Sequence, residues 1–125
     1  MQFSKRVILC ALTSGLALSF APGAFAQDES QAMKKGEAAY QSMKLKEAAN
    51  QFREAIRQEP NNAKAHQRLG AVLAAMNDYE TAILECKQAT KLDAKNFLPH
   101  VVLGQIYANQ NKIDLALKEF REATA

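Results

Sequence analysis

The chain has 125 residues, 48% of them hydrophobic and 23% charged, with a formal net charge of +3. Its first 26 residues read as an export signal, and the 99 that remain suffice for one small domain and exclude barrels and doubly wound dinucleotide folds. Without Lys5 and Arg6 the 16 basic residues fall to 14 against 13 acidic ones, so a net of +1 gives no case for a nucleic-acid partner.

Lys5 and Arg6 form a basic head, Val7 to Phe20 is mostly apolar, and Pro22-Gly23 breaks the run. Ala24-Phe25-Ala26 fits the small-x-small rule, so a cut after Ala26 is expected. The apolar run is shorter than the ~20 residues of a spanning helix. Contact with a membrane is therefore expected only in transit, and the style of signal is bacterial. The expected location is the periplasm or the outside of the cell. Cys10 leaves with the signal, so Cys86 has no cysteine partner in the remaining chain.

The next elements are found by laying the chain on itself at an offset of 34. Gly36, Gly70 and Gly104 then coincide, as do Ala48, Ala82 and Ala116, and Ala55, Ala89 and Ala123. Phe52, Cys86 and Phe120 form another set, and so do Leu45, Tyr79 and Ile113. A fixed period of this length marks a solenoid. The units run over about 29–62, 63–96 and 97–125.

Each unit holds two helical stretches. The first carries Gly36, then Ala48, Phe52 and Ala55, and ends at Pro60-Asn61-Asn62. In the second, Ala65, Leu69, Val72, Leu73 and Met76 recur at helical spacing, followed by Ala82, Ile83, Cys86 and Ala89. The third repeats this with Leu103, Ile106 and Tyr107, then Ala116, Leu117, Phe120 and Ala123. Asn77 and Asn111 suit a left-handed turn between the helices, whereas the first unit has Met43, which predicts a turn that is slightly strained or differently shaped. Asn62 and Asn96 are expected as helix caps, and Pro99 belongs in a first turn. The glycines let paired helices approach, with Ala48, Ala82 and Ala116 expected opposite them. Phe52, Phe120, Tyr79 and Tyr107 are expected to fill the wedge between pairs.

This pattern resembles the tetratricopeptide repeat family, carried by Leu69-Gly70, Tyr79, Ala82 and Ala89, and by Leu103-Gly104, Tyr107, Ala116, Phe120 and Ala123. The first unit departs most, with Lys35 where the family prefers leucine and Ala39 where it prefers tyrosine. The resemblance implies an all-α fold, a right-handed α-solenoid of three helix-turn-helix repeats. It also implies a concave groove lined by the first helix of each pair. That groove would hold a peptide or helix of another protein.

The residues this places in the groove are Met33, Lys34, Glu37, Tyr40 and Gln41, then Lys64, Gln67, Arg68, Ala71 and Ala75, then Leu98, Val101, Val102, Gln105 and Asn109. Some family members clamp the C-terminal carboxylates of chaperones with basic and amide groups. The matching places here hold Met33, Glu37, Leu98 and Val102, so such a tail is not expected.

Nothing in the sequence assembles a catalytic set, and neither a metal nor a cofactor is expected. His66 and His100 are read as packing residues, and Cys86 as a small core hydrophobe in the Phe52 and Phe120 register. The reading is a non-catalytic protein-interaction module of the bacterial envelope. Its rival is a structural protein that stacks on a second copy through the open third repeat. There Leu117 and Phe120 are expected to pack inward, with Ala116, Ala123, Leu103 and Tyr107 thinly covered.

Overall fold

The computed structural model describes residues 29–125. The export signal and its cut after Ala26 lie outside the described residues. Six helices follow in three antiparallel pairs: α1 (Gln31–Gln41) with α2 (Leu45–Gln58), α3 (Ala63–Ala75) with α4 (Tyr79–Leu92), and α5 (Leu98–Asn109) with α6 (Ile113–Thr124). The pairs stack in chain order into an all-α solenoid. None of these helices is long and apolar enough to cross a membrane.

Local chemistry sets the helix ends. Ser30 Oγ accepts from the Met33 amide at 3.2 Å, and Asn62 Oδ1 accepts from the Ala65 amide at 3.1 Å. Each satisfies one donor that a helix start leaves orphaned. The third pair differs from expectation. Phe97, in a helical conformation, is the residue before α5, and Asn96 instead accepts from the Leu98 amide at 3.0 Å. Pro99 lies in the first turn of α5, where its missing donor leaves no bond unmade.

One turn closes all three pairs. Met43, Asn77 and Asn111 stand at φ of 60°, 64° and 59°. The amide after each reaches back to a helix carbonyl, Lys44 to Ala39 at 2.8 Å, Asp78 to Leu73 at 2.9 Å and Lys112 to Tyr107 at 2.8 Å. This is a Schellman ending, which favours glycine or asparagine at the left-handed place. Met43 adopts it too, 73% exposed, so its turn has the same shape and carries the strain.

Within a pair the glycines mark the closest approach, but the groups facing them differ from expectation. A Cβ at Gly36 would fall 2.5 Å from the Phe52 ring, and one at Gly70 would fall 2.6 Å from Cys86 Sγ. At Gly104 the Phe120 ring occupies that space. Ala82 contributes only its carbonyl oxygen, at 3.4 Å from the Gly70 position. The opposing surface is thus the Phe52, Cys86 and Phe120 register, because that side chain reaches across one turn further along the second helix.

The core runs through all three pairs. Phe52, Leu69, Val72, Leu73 and Ile106 share one cluster, and Cys86, Leu103, Tyr107 and Ala116 form a second. Equivalent positions separate the two ends of the stack. Ala65, Leu69 and Val72 are buried, as are Pro99, Leu103 and Ile106, whereas Gln31, Lys35 and Ala38 in α1 are exposed. This is the face each first helix turns toward the preceding pair.

The opposite face reverses the expectation for the third repeat. Leu103, Tyr107 and Ala116 are buried, while Leu117 is 46% and Phe120 37% exposed. The counterparts Ala49 and Phe52 are fully covered by the pair that follows them, as is Cys86. No described residue does this for α6, so Phe120 covers its own glycine and otherwise meets solvent. Phe120 therefore does not fill a wedge between pairs as Phe52 does.

Candidate functional site

The first helices of all three pairs meet around one groove of about 550 Å³. Tyr40 comes from α1, and Ala71, Ala74 and Ala75 come from α3. Val102, Gln105, Ile106, Ala108 and Asn109 come from α5, and Phe120 closes one end. Three alanines on the middle helix leave the volume open, since a longer side chain there would fill it. The walls are mainly apolar. Gln105 and Asn109 add amides that both donate and accept. Asn109 Nδ2 donates to the Tyr79 hydroxyl at 3.3 Å, and that hydroxyl donates to Asn77 Oδ1 at 3.0 Å.

Of the residues read from the sequence, Tyr40, Ala71, Ala75, Val102, Gln105 and Asn109 come together here. The others stand elsewhere. Lys34 and Gln41 are exposed and not part of the groove lining. Arg68 Nε donates to Glu37 Oε1 at 2.5 Å, an ion pair that ties α3 to α1. Lys64 pairs with Glu29 and its hydrogen bond holds that carboxyl below the usual carboxylate range. Gln67 is buried, and its Oε1 accepts from Asn96 Nδ2 at 3.3 Å. Met33 is buried in the core. Leu98 is 39% exposed and Val101 half-buried, both outside the groove lining.

Ala74, Ala108, Ile106 and Phe120 were not read as lining residues. Tyr40, Ala74 and Ala108 share one register of the 34-residue period, so the repeat itself carried that signal. Phe120 reaches the groove only because it lies against Gly104.

The two histidines bind carboxylates rather than only filling space. His66 Nδ1 lies 2.6 Å from Glu85 Oε2, and its Nε2 lies 2.8 Å from the Pro60 carbonyl. His100 Nδ1 lies 2.8 Å from Glu119 Oε2. Each pair links the two helices of one repeat. No three of the His, Cys, Asp and Glu side chains among the described residues gather as metal ligands would. Cys86 is fully buried, and burial pushes its thiol up to about 12, with the Glu85 and Glu119 carboxylates adding to the shift. A thiol held protonated in this way is a poor nucleophile.

Two tetratricopeptide repeat models match the chain, over residues 33–97 and 100–125. Among solved structures it is similar to the TPR domain of Arabidopsis OM64, with a TM-score of 0.72 and 26% identity over 74% of this chain and 76% of that one. It is also similar to MamA, with a TM-score of 0.70 and 21% identity over 80% of this chain and 60% of that one. A MamA structure from AMB-1 gives 0.69 and 21% over 86% of this chain and 58% of that one. The chain thus spans under two thirds of the MamA chains, and at that identity the likeness is one of fold. No curated protein matches the chain.

Proposed function

The chain belongs to the tetratricopeptide repeat family, and from this premise we propose that it is an adaptor of the bacterial envelope that holds a helix or extended segment of a partner protein in its concave groove. The family is built of protein-interaction repeats, so the chain is an interaction module. The observation that carries the finer reading is the shared groove. Its lining comes from the first helix of every pair, with Phe120 of α6 at one end, and the middle helix contributes only alanine. Three side chains of different repeats therefore contact one occupant together. Apolar walls contribute burial, and the Gln105 and Asn109 amides supply direction. The envelope part of the reading rests on the basic head, apolar run and Ala24-Phe25-Ala26.

The test places a photo-crosslinking residue at Ala75 in the groove and, separately, at Leu84, which is 66% exposed and outside it. The reading expects one discrete adduct from the Ala75 position in cells. That adduct should disappear when Ala71→Trp fills the groove. Equal crosslinking from Leu84, or an adduct unaffected by Ala71→Trp, would defeat it. Mass measurement of the exported protein should find Gln27 first; an uncut, cytoplasmic product would remove the envelope part alone.

A further inference from the structure

The apolar face of α6 adjoins the groove end that Phe120 closes, but its centre, Leu117, is not a lining residue and carries its own charge pattern. Leu117 stands 46% exposed at its centre, where the first pair has a covered Ala49. Asp114 lies three residues before Leu117 and Arg121 four after it, so all three share one side of the helix. Both charged groups are exposed, and neither joins an ion pair among the described residues. The acid and the base therefore flank Leu117 at opposite ends of one stripe.

We propose that this stripe docks on the same stripe of a second copy of the chain, the two α6 helices antiparallel across a two-fold axis beside Leu117. The charge order selects that partner. Antiparallel placement sets Asp114 of each copy beside Arg121 of the other, twice in one interface, and lays Leu117 against its own symmetry mate. Parallel placement would set like charges together. The other end of the stack is a poorer match for this stripe than the stripe is for itself. There α1 presents Gln31, Lys35 and Ala38, a face that offers Lys35 to Asp114 but no carboxylate to Arg121 and a polar glutamine to Leu117. A stripe that complements itself better than it complements the other end favours a closed pair over an open chain of copies.

The experiment is sedimentation velocity on the protein recovered after expression of the whole sequence, with circular dichroism as the check on folding. A dimer is expected, and Leu117→Glu should convert it to a helical monomer. Because a face substitution can disturb packing, the charge swap is the second arm. Asp114→Arg alone and Arg121→Asp alone should each weaken the dimer by about tenfold or more in Kd. The double variant Asp114→Arg with Arg121→Asp should restore it, since both groups are solvent-exposed in the monomer and the order is merely inverted. A monomer at all concentrations, a dimer indifferent to Leu117→Glu, a double variant no better than the single ones, or a species disrupted by Lys35→Glu would each overturn the proposal.

Discussion

Gly36 and Gly104 occupy the same register and face the same ring, yet they should respond differently to one added methyl. Alanine gains about 1 kcal/mol over glycine in a helix interior. Against that, a Cβ at Gly36 collides with Phe52, which is fully buried and cannot move aside. Overpacking of this kind costs ~1–3 kcal/mol, so Gly36→Ala should lower the urea midpoint. Phe120 is 37% exposed and can swing into solvent, so Gly104→Ala should be near neutral in the monomeric Leu117→Glu background. Equal losses at both sites would refute the difference in cover. Cys86 adds a pH signature. Its folded thiol is raised to about 12, so the unfolded thiol, near an ordinary ~8.5, ionises first. The stability this contributes is whole below the unfolded value and drains as pH rises toward 12, at up to about 1.4 kcal/mol per pH unit. Cys86→Ala should therefore flatten the alkaline limb of stability against pH. In the native wild type, iodoacetamide at mildly alkaline pH should leave Cys86 unmodified until denaturant is added.

Each helix pair turns on one left-handed residue, and Met43 is the exception in chemistry rather than in geometry. Asn77 and Asn111 tolerate φ near 60° through their short polar side chains, whereas an ordinary L-residue there loses roughly 1–2 kcal/mol. Met43 is largely exposed and forfeits little on replacement, so Met43→Asn or Met43→Gly should raise stability by about 1 kcal/mol. A fall in thermal midpoint for both variants would mean that the methionine side chain is held by contacts its exposure does not suggest. The turn was legible because identical elements recur: two asparagines one period apart exposed the third place as anomalous. The glycines were legible for the same reason, since close approach admits no other side chain. The faces of the last helix were not. Helical spacing puts Ala116, Leu117 and Phe120 among apolar residues of one helix, but apolar character is the same whether the cover is the helix's own pair or the next. Only the buried state of Phe52 and Ala49 against the exposure of Phe120 and Leu117 separates the two. In the groove, Tyr40, Val102, Gln105 and Asn109 could be placed from register alone. Met33, Gln67 and Val101 form a separate register of the period, and none of the three lines the groove; Met33 and Gln67 are buried instead. The histidine partners were hidden by distance, since Glu85 lies 19 residues from His66 on another helix.

The stack as a whole is a chain of interfaces, and its stability is close to a sum over neighbouring pairs. The middle pair has a neighbour on both sides. Leu69, Val72 and Leu73 of α3 and Cys86 of α4 are all 2% exposed or less. The first pair is covered on one side and ends in the polar face of Gln31 and Lys35. The third pair is covered on one side and ends in the apolar face of Leu117 and Phe120. Unfolding from an end removes one interface, whereas opening the middle removes two, so backbone amides should report a graded order of protection. In the Leu117→Glu variant, hydrogen exchange should be slowest in α3 and α4 and fastest in α6, whose one uncovered side has no neighbour to restrain it. In the wild type the proposed second copy would cover that side. Protection of α6 should then rise with protein concentration while that of α1, at the polar end, stays constant. The two ends of one molecule thus serve as each other's control. Concentration-dependent protection confined to α1 would place the contact on the polar end. Uniform protection across all six helices would mean that the repeats open as a single unit and that end effects do not govern this stack.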